Sequence, residues 1–125
     1  MKTQQKPTST SKSAEKTTIW TGLECLRGLE MHIKDFQDIM ERIYFHRDSR
    51  RGPTGTYDWL VEEVGELGEA MKKDDRKALR DEFADVLAWL ASLANVVDVD
   101  LEAAALSKYS SRCPKCSQSP CRCQL

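Results

Sequence analysis

The chain has 125 residues, a net charge of −1 and a charged fraction of 31%, which suits one small domain with tails. So balanced a charge provides no overall field to draw nucleic acid or an anionic membrane surface. No apolar run approaches the length of a membrane span, and the N-terminus lacks the apolar core of a signal peptide. A soluble cytoplasmic protein is therefore expected, with neither membrane nor nucleic acid as partner.

Residues 1–16 are Lys, Thr, Ser and Gln with almost nothing apolar, a composition that predicts disorder. Residues 17–30 scatter Ile19, Trp20, Leu23, Leu26 and Leu29 irregularly, and read either as a short helix packed on the domain or as an extension ahead of the core; Cys25 lies there alone. From Met31 to Arg47 the first core helix is expected, its apolar face supplied by Ile33, Phe36, Ile39, Met40, Ile43 and Tyr44, with Gln37 and Arg47 near a pocket. His32 and His46 have no carboxylate at Glu-x-x-His spacing, which argues against a di-iron carboxylate bundle. Arg50 to Thr56 reads as a loop by its Gly and Pro content, with Thr54 or Thr56 capping the next helix. Arg47, Arg50 and Arg51 are there either as phosphate contacts or as solvated surface arginines.

Two periodic segments follow. Leu60, Val64, Leu67 and Met71 recur at helical spacing, as do Leu79, Phe83, Val86, Leu87, Leu90, Ala94 and Val97. The charged break Lys72-Lys73-Asp74-Asp75 separates them, with Asp74 or Asp75 as cap, so the two helices form an antiparallel hairpin. At roughly 100° per residue, Trp59, Glu63 and Glu66 share one stripe, and Glu82, Asp85 and Trp89 share another. Both stripes fall on the same side of the hairpin. Glu66 and Glu82 are equidistant from Asp74, as are Glu63 and Asp85, and Trp59 and Trp89. Four carboxylates should therefore converge, with one indole from each helix further along.

Four ionised carboxylates repel one another, and a divalent cation removes that conflict. An all-oxygen set at one i,i+3 pair per helix suits Mg²⁺ or Mn²⁺, with water or phosphate oxygens completing the shell. Glu62 lies further round the helix, placed to orient a ligand or position water. Gly65 and Gly68 each cost up to about 1 kcal/mol in a helix relative to Ala, an expense that a close helix contact would justify. After Val97, Asp98-Val99-Asp100 breaks the pattern and Asp100 caps a last helix packing through Leu101, Ala104, Ala105, Leu106 and Tyr109. Residues 111–125 hold Cys113, Cys116, Cys121 and Cys123 in a C-P-x-C…C-x-C pattern. Their candidate roles are a small Zn²⁺ clip, redox-active thiols or disulfides, the last disfavoured by a cytoplasmic setting.

Glu62-Glu63-Val64-Gly65-Glu66 followed by Glu82-Phe83-Ala84-Asp85 resembles the E-E-x-x-E…E-x-x-D signature of the MazG-like nucleotide pyrophosphohydrolases, an all-α superfamily. The flanks W-L-V-E-E-V-G-E-L and D-V-L-A-W-L-A-S-L-A-N agree, and the resemblance covers roughly Lys34 to Tyr109. It implies an all-α antiparallel bundle of about four helices over residues 31–110, completed as a homodimer or homotetramer. Such assembly also suits a chain in which only about 80 residues look helical, a thin basis for a monomeric core. The implied activity is Mg²⁺-dependent hydrolysis of a nucleoside triphosphate to the monophosphate and pyrophosphate. Glu63, Glu66, Glu82 and Asp85 would be the metal ligands, and Glu62 or Glu63 the proton acceptor. Trp59 and Trp89 would stack on the base, although Trp89 equally suits a subunit interface. Lys108 resembles the family's last-helix cation and, with Arg51, would contact the β- and γ-phosphates. Two alternatives stand beside this one: a specialised nucleotide substrate, or a non-catalytic helical module docking through the cysteine clip. The cysteine tail itself is outside the family signature.

Overall fold

Three helices carry the fold in the computed structural model, which describes residues 30–125. They are α1 (Ile33–Met71), α2 (Arg76–Val96) and α3 (Leu101–Lys108), and no strand occurs among the described residues. The tail and extension expected over residues 1–29, Cys25 included, lie outside the described part. His32–Leu125 form one compact unit.

The start of α1 shows how its ends are satisfied. Asp35 Oδ2 accepts from the backbone N–H of His32 at 2.8 Å. Glu102, reaching across from α3, accepts from the Lys34 N–H at 3.0 Å. Two of the unpaired N–H groups at this terminus are accounted for in this way. Asp75 caps α2 by accepting from Ala78 N at 3.1 Å, and Asp100 caps α3 by accepting from Ala103 N at 2.9 Å.

The loop expected over Arg50–Thr56 is instead a kink inside α1. Gly52 alone leaves helical geometry, at φ 82° and ψ 174°. Glycine reaches that positive φ without a Cβ penalty. Pro53, whose fixed φ and missing N–H suit the first position of a helix, restarts the helix at once. Thr56 therefore caps nothing. It is fully buried one turn into the second arm of α1, where Arg51 Nη1 lies 3.4 Å from its hydroxyl.

α1 and α2 pair through the tight Lys72–Asp75 turn and make most of the tertiary contacts. A polar hub locks the far end. Gln37, 6% exposed, donates from Nε2 to Asn95 Oδ1 at 2.9 Å and to the Val99 carbonyl at 2.7 Å. Its Oε1 accepts from Leu101 N at 2.9 Å, while Asn95 Nδ2 donates to the Gln37 carbonyl at 3.1 Å. Gln37 thus joins α1, the end of α2 and the start of α3; it borders a smaller polar cavity of about 250 Å³ there and, contrary to expectation, does not line the larger cavity beside Trp59 and Trp89.

The apolar core of the unit is thin: Met40, Ala70, Ala91 and Ala94 are its buried apolar residues. Val64, Met71, Phe83, Leu87, Leu90 and Val97, read from periodicity as core, are exposed in the single chain. At Gly65 and Gly68 an added Cβ would meet nothing within 4 Å, so the close contact expected there is not made within this unit. No helix among the described residues is long and apolar enough to cross a membrane.

Candidate functional site

The second arm of α1 and the facing stretch of α2 bring three carboxylates together. Oxygen atoms of Glu63, Glu66 and Glu82 all lie within 4.8 Å of one another. Asp85, one turn beyond Glu82, stands outside that tight group. It borders an adjoining cavity of about 470 Å³ and still acts electrostatically on Glu63 and Glu82. Glu62 is exposed and outside the cluster.

The cluster is under electrostatic stress. Burial, then the charges of Glu66, Asp85 and Glu82, push the Glu63 carboxyl above the usual carboxylate range, offset in part by a hydrogen bond from Trp89. Glu82 is raised likewise, by burial first and then by Glu66, Asp85 and Asp81. Its Oε2 is shielded from solvent and has no hydrogen-bond partner. A half-buried carboxylate oxygen without a donor, facing two more carboxylates, is an arrangement that a cation relieves. The donor set is oxygen alone, which matches a hard divalent ion such as Mg²⁺ or Mn²⁺.

The cavity beside the cluster is walled by aromatic and charged groups. Trp59 and Trp89 stack with centroids 5.7 Å apart and planes 16° from parallel. That pairing follows from their equal distance from the hairpin turn. Arg51 lies 4.8 Å over the Trp89 ring, and its Nη1 donates to Asp48 Oδ1 at 2.7 Å. Gly55 makes this possible, since a Cβ there would stand 2.7 Å from Arg51 Cγ. Asp48 is 2% exposed, and its Oδ2 has no partner. Tyr44, Arg47, Ala88 and Ser92 complete the lining. The volume and mixed walls fall in the range of small-molecule sites.

Asp48 and Tyr44 were missed by sequence reasoning. Asp48 sits one helical turn before Arg51, an i,i+3 carboxylate–guanidinium spacing that could have flagged it. Tyr44, expected on the core face, instead borders the cavity. Lys108 lies apart, its Nζ 5.7 Å from the Tyr109 ring, and it does not line the cavity.

A second cluster occupies the last loop: Sγ atoms of Cys113, Cys116, Cys121 and Cys123 are all within 4.8 Å of one another. Backbone N–H groups of Arg122 and Gln118 draw the Cys116 thiol down to about 6, while the surrounding thiols push Cys123 up to about 11.

In comparisons with known proteins, the family model for the MazG nucleotide pyrophosphohydrolase domain matches residues 51–117, more than half of the chain and the whole carboxylate hairpin. No curated protein matches.

Proposed function

This chain belongs to the MazG nucleotide pyrophosphohydrolase family, and on that premise we propose that it hydrolyses nucleoside or deoxynucleoside triphosphates to the monophosphate and pyrophosphate. The observation that carries the reading is the meeting of Glu63, Glu66 and Glu82 next to a cavity bordered by Asp85 and two stacked indoles. A polyphosphate site needs a cation holder beside a base-sized pocket, and these residues supply both chemistries.

Glu63, Glu66, Glu82 and Asp85 hold Mg²⁺ or Mn²⁺ in this reading. Bound there, the ion would neutralise triphosphate charge and lower the pKa of a coordinated water. Glu62, which the ligand cluster leaves uncommitted, takes the proton as water attacks the α-phosphorus and pyrophosphate departs; Glu63 is the other carboxylate suited to that role. Trp59 and Trp89 receive the base against an indole face. Asp48 Oδ2, buried and without a donor, accepts from an amino or imino N–H at the edge of the base. Arg51, held by Asp48 over Trp89, and Arg47 line the cavity and are the cations suited to the β- and γ-phosphates; Lys108, which lies apart from the cavity, takes no such part within the single chain.

The functional unit is a homodimer or homotetramer of the domain spanning residues 31–110, with a four-helix bundle completed between copies. The exposed stripe of Val64, Phe83, Leu87 and Leu90 supports this, because a single chain leaves it in water,. Glu66→Ala and Asp85→Ala test the ligand assignment: both should abolish turnover while far-UV circular dichroism keeps its helical signal. Full activity in both variants would refute it.

A further inference from the structure

The loop after α3 carries a concentration of metal-binding chemistry that the carboxylate site does not use. Cys113 and Cys123 place their Sγ atoms 3.8 Å apart, and Cys116 and Cys121 do the same. Four thiolates at about 2.3 Å from one ion, arranged as a tetrahedron, stand about 3.8 Å from each other. All four are free cysteines. A two-iron cluster would instead spread the sulfurs into two separated pairs, whereas here every sulfur is near every other.

The backbone is folded around these sulfurs. Lys115 N–H points to Cys113 Sγ at 3.3 Å, Arg122 N–H to Cys116 Sγ at 3.4 Å, and Cys123 N–H to Cys121 Sγ at 3.3 Å. Amide donors of this kind stabilise thiolates and fix their orientation, the usual support around a metal. The turn is closed by Ser117 N to the Cys113 carbonyl at 2.8 Å and Cys113 N to the Gln118 carbonyl at 3.0 Å. Ser117 takes φ 61° to make it, a conformation a non-glycine residue adopts at a cost that something else must offset.

Nothing apolar offsets it. Beyond Lys108 there is neither helix nor strand, and Cys113 and Cys116 are the only residues there that are not exposed. A loop this short with no core cannot be ordered by burial, whereas metal coordination supplies folding free energy directly. The charged side chains beyond Lys108 are Arg112, Lys115 and Arg122, all cationic, which balances the net negative charge of a metal held by four thiolates.

We propose that Cys113, Cys116, Cys121 and Cys123 bind one Zn²⁺ as a structural clip that folds residues 113–123 independently of the carboxylate site. Four protein ligands fill the tetrahedron and leave no open position, so the ion is structural and takes no part in hydrolysis. The clip is formed by this chain alone and does not depend on which substrate the enzyme turns over.

The test uses the full chain, expressed with zinc supplied and purified without chelator. Elemental analysis should find one zinc per chain that excess Mg²⁺ does not displace. Glu66→Ala should keep that zinc, and Cys113→Ser with Cys116→Ser should lose it. Replacement of zinc by Co²⁺ should give the intense thiolate-to-cobalt charge-transfer bands of a tetrathiolate site. Trypsin cleavage after Arg112, Lys115 and Arg122 should accelerate on the order of tenfold in the double variant, as local order is lost, while the helical dichroism is unchanged. A chain purified zinc-free with all four thiols reactive would overturn the proposal. So would iron in place of zinc, a mass showing disulfides, or zinc retained by the double variant.

Discussion

Replacing Glu63 by Gln should make the metal-free protein more stable and the enzyme inactive. The substitution conserves shape and keeps an oxygen to accept from Trp89, so its main effect is to remove one negative charge. Glu66 and Glu82 have carboxylate oxygens within 4.8 Å of the Glu63 carboxylate, a separation at which like charges repel by about 1 kcal/mol per pair in a water-like dielectric. Two such pairs come to about 2 kcal/mol at most, and the exposure of Glu66 and salt screening reduce that to about 1 kcal/mol of relief. For a domain of this size that is a rise of roughly 4–8 °C in Tm. Thermal unfolding followed by far-UV circular dichroism, in EDTA and in Mg²⁺, measures both halves of the expectation. Wild type should gain stability on adding Mg²⁺; Glu63→Gln should start higher in EDTA and gain much less. A variant that melts below wild type in EDTA, or that gains as much from Mg²⁺, would refute the electrostatic account of the cluster.

Three further expectations follow from the same contacts. Because the folded-state pKa values of Glu63 and Glu82 lie above the ordinary carboxylate value, the folded state binds protons more readily than the unfolded one. These two groups therefore make metal-free stability fall as pH rises from the ordinary carboxylate range through the raised folded values; Glu63→Gln with Glu82→Gln should remove that component in EDTA melts, and an unchanged pH profile would contradict it. Gln37→Leu strips three hydrogen bonds from the hub that joins the helices, costing about 2–4 kcal/mol in urea unfolding, and combination with Asn95→Ala should cost less than the sum of the single changes. Trp59→Ala should raise KM for the preferred nucleotide about 5- to 30-fold through loss of stacking on the base, with a smaller effect on kcat; an unchanged KM would remove the indoles from the substrate site.

The hairpin was legible because two independent regularities agreed. Apolar periodicity defined two helices, and the equal spacing of Glu66 and Glu82, and of Trp59 and Trp89, about Asp74 set their register; the stacked indoles are the visible result. Gly52-Pro53 was harder, since a turn and a helix kink use the same two residues. What decided it was tertiary: Asp48 and Thr56 are buried on either side of the kink and both meet the half-buried Arg51 guanidinium, and no local pattern announces that. Gln37 sat among apolar neighbours as an ordinary polar residue, and only the positions of Asn95, Val99 and Leu101 make it a hub. Periodicity also overstated the core. It identifies a face that is better buried, as for Val64, Phe83 and Leu87, without naming what buries it.

The most direct measurement is product analysis on a panel of ribo- and deoxynucleoside triphosphates, with and without Mg²⁺. The account predicts equimolar pyrophosphate and nucleoside monophosphate, formed only with the divalent ion and lost in Glu66→Ala and Asp85→Ala. Orthophosphate with a diphosphate product, or pyrophosphate release that persists without the ion or in both variants, would contradict it.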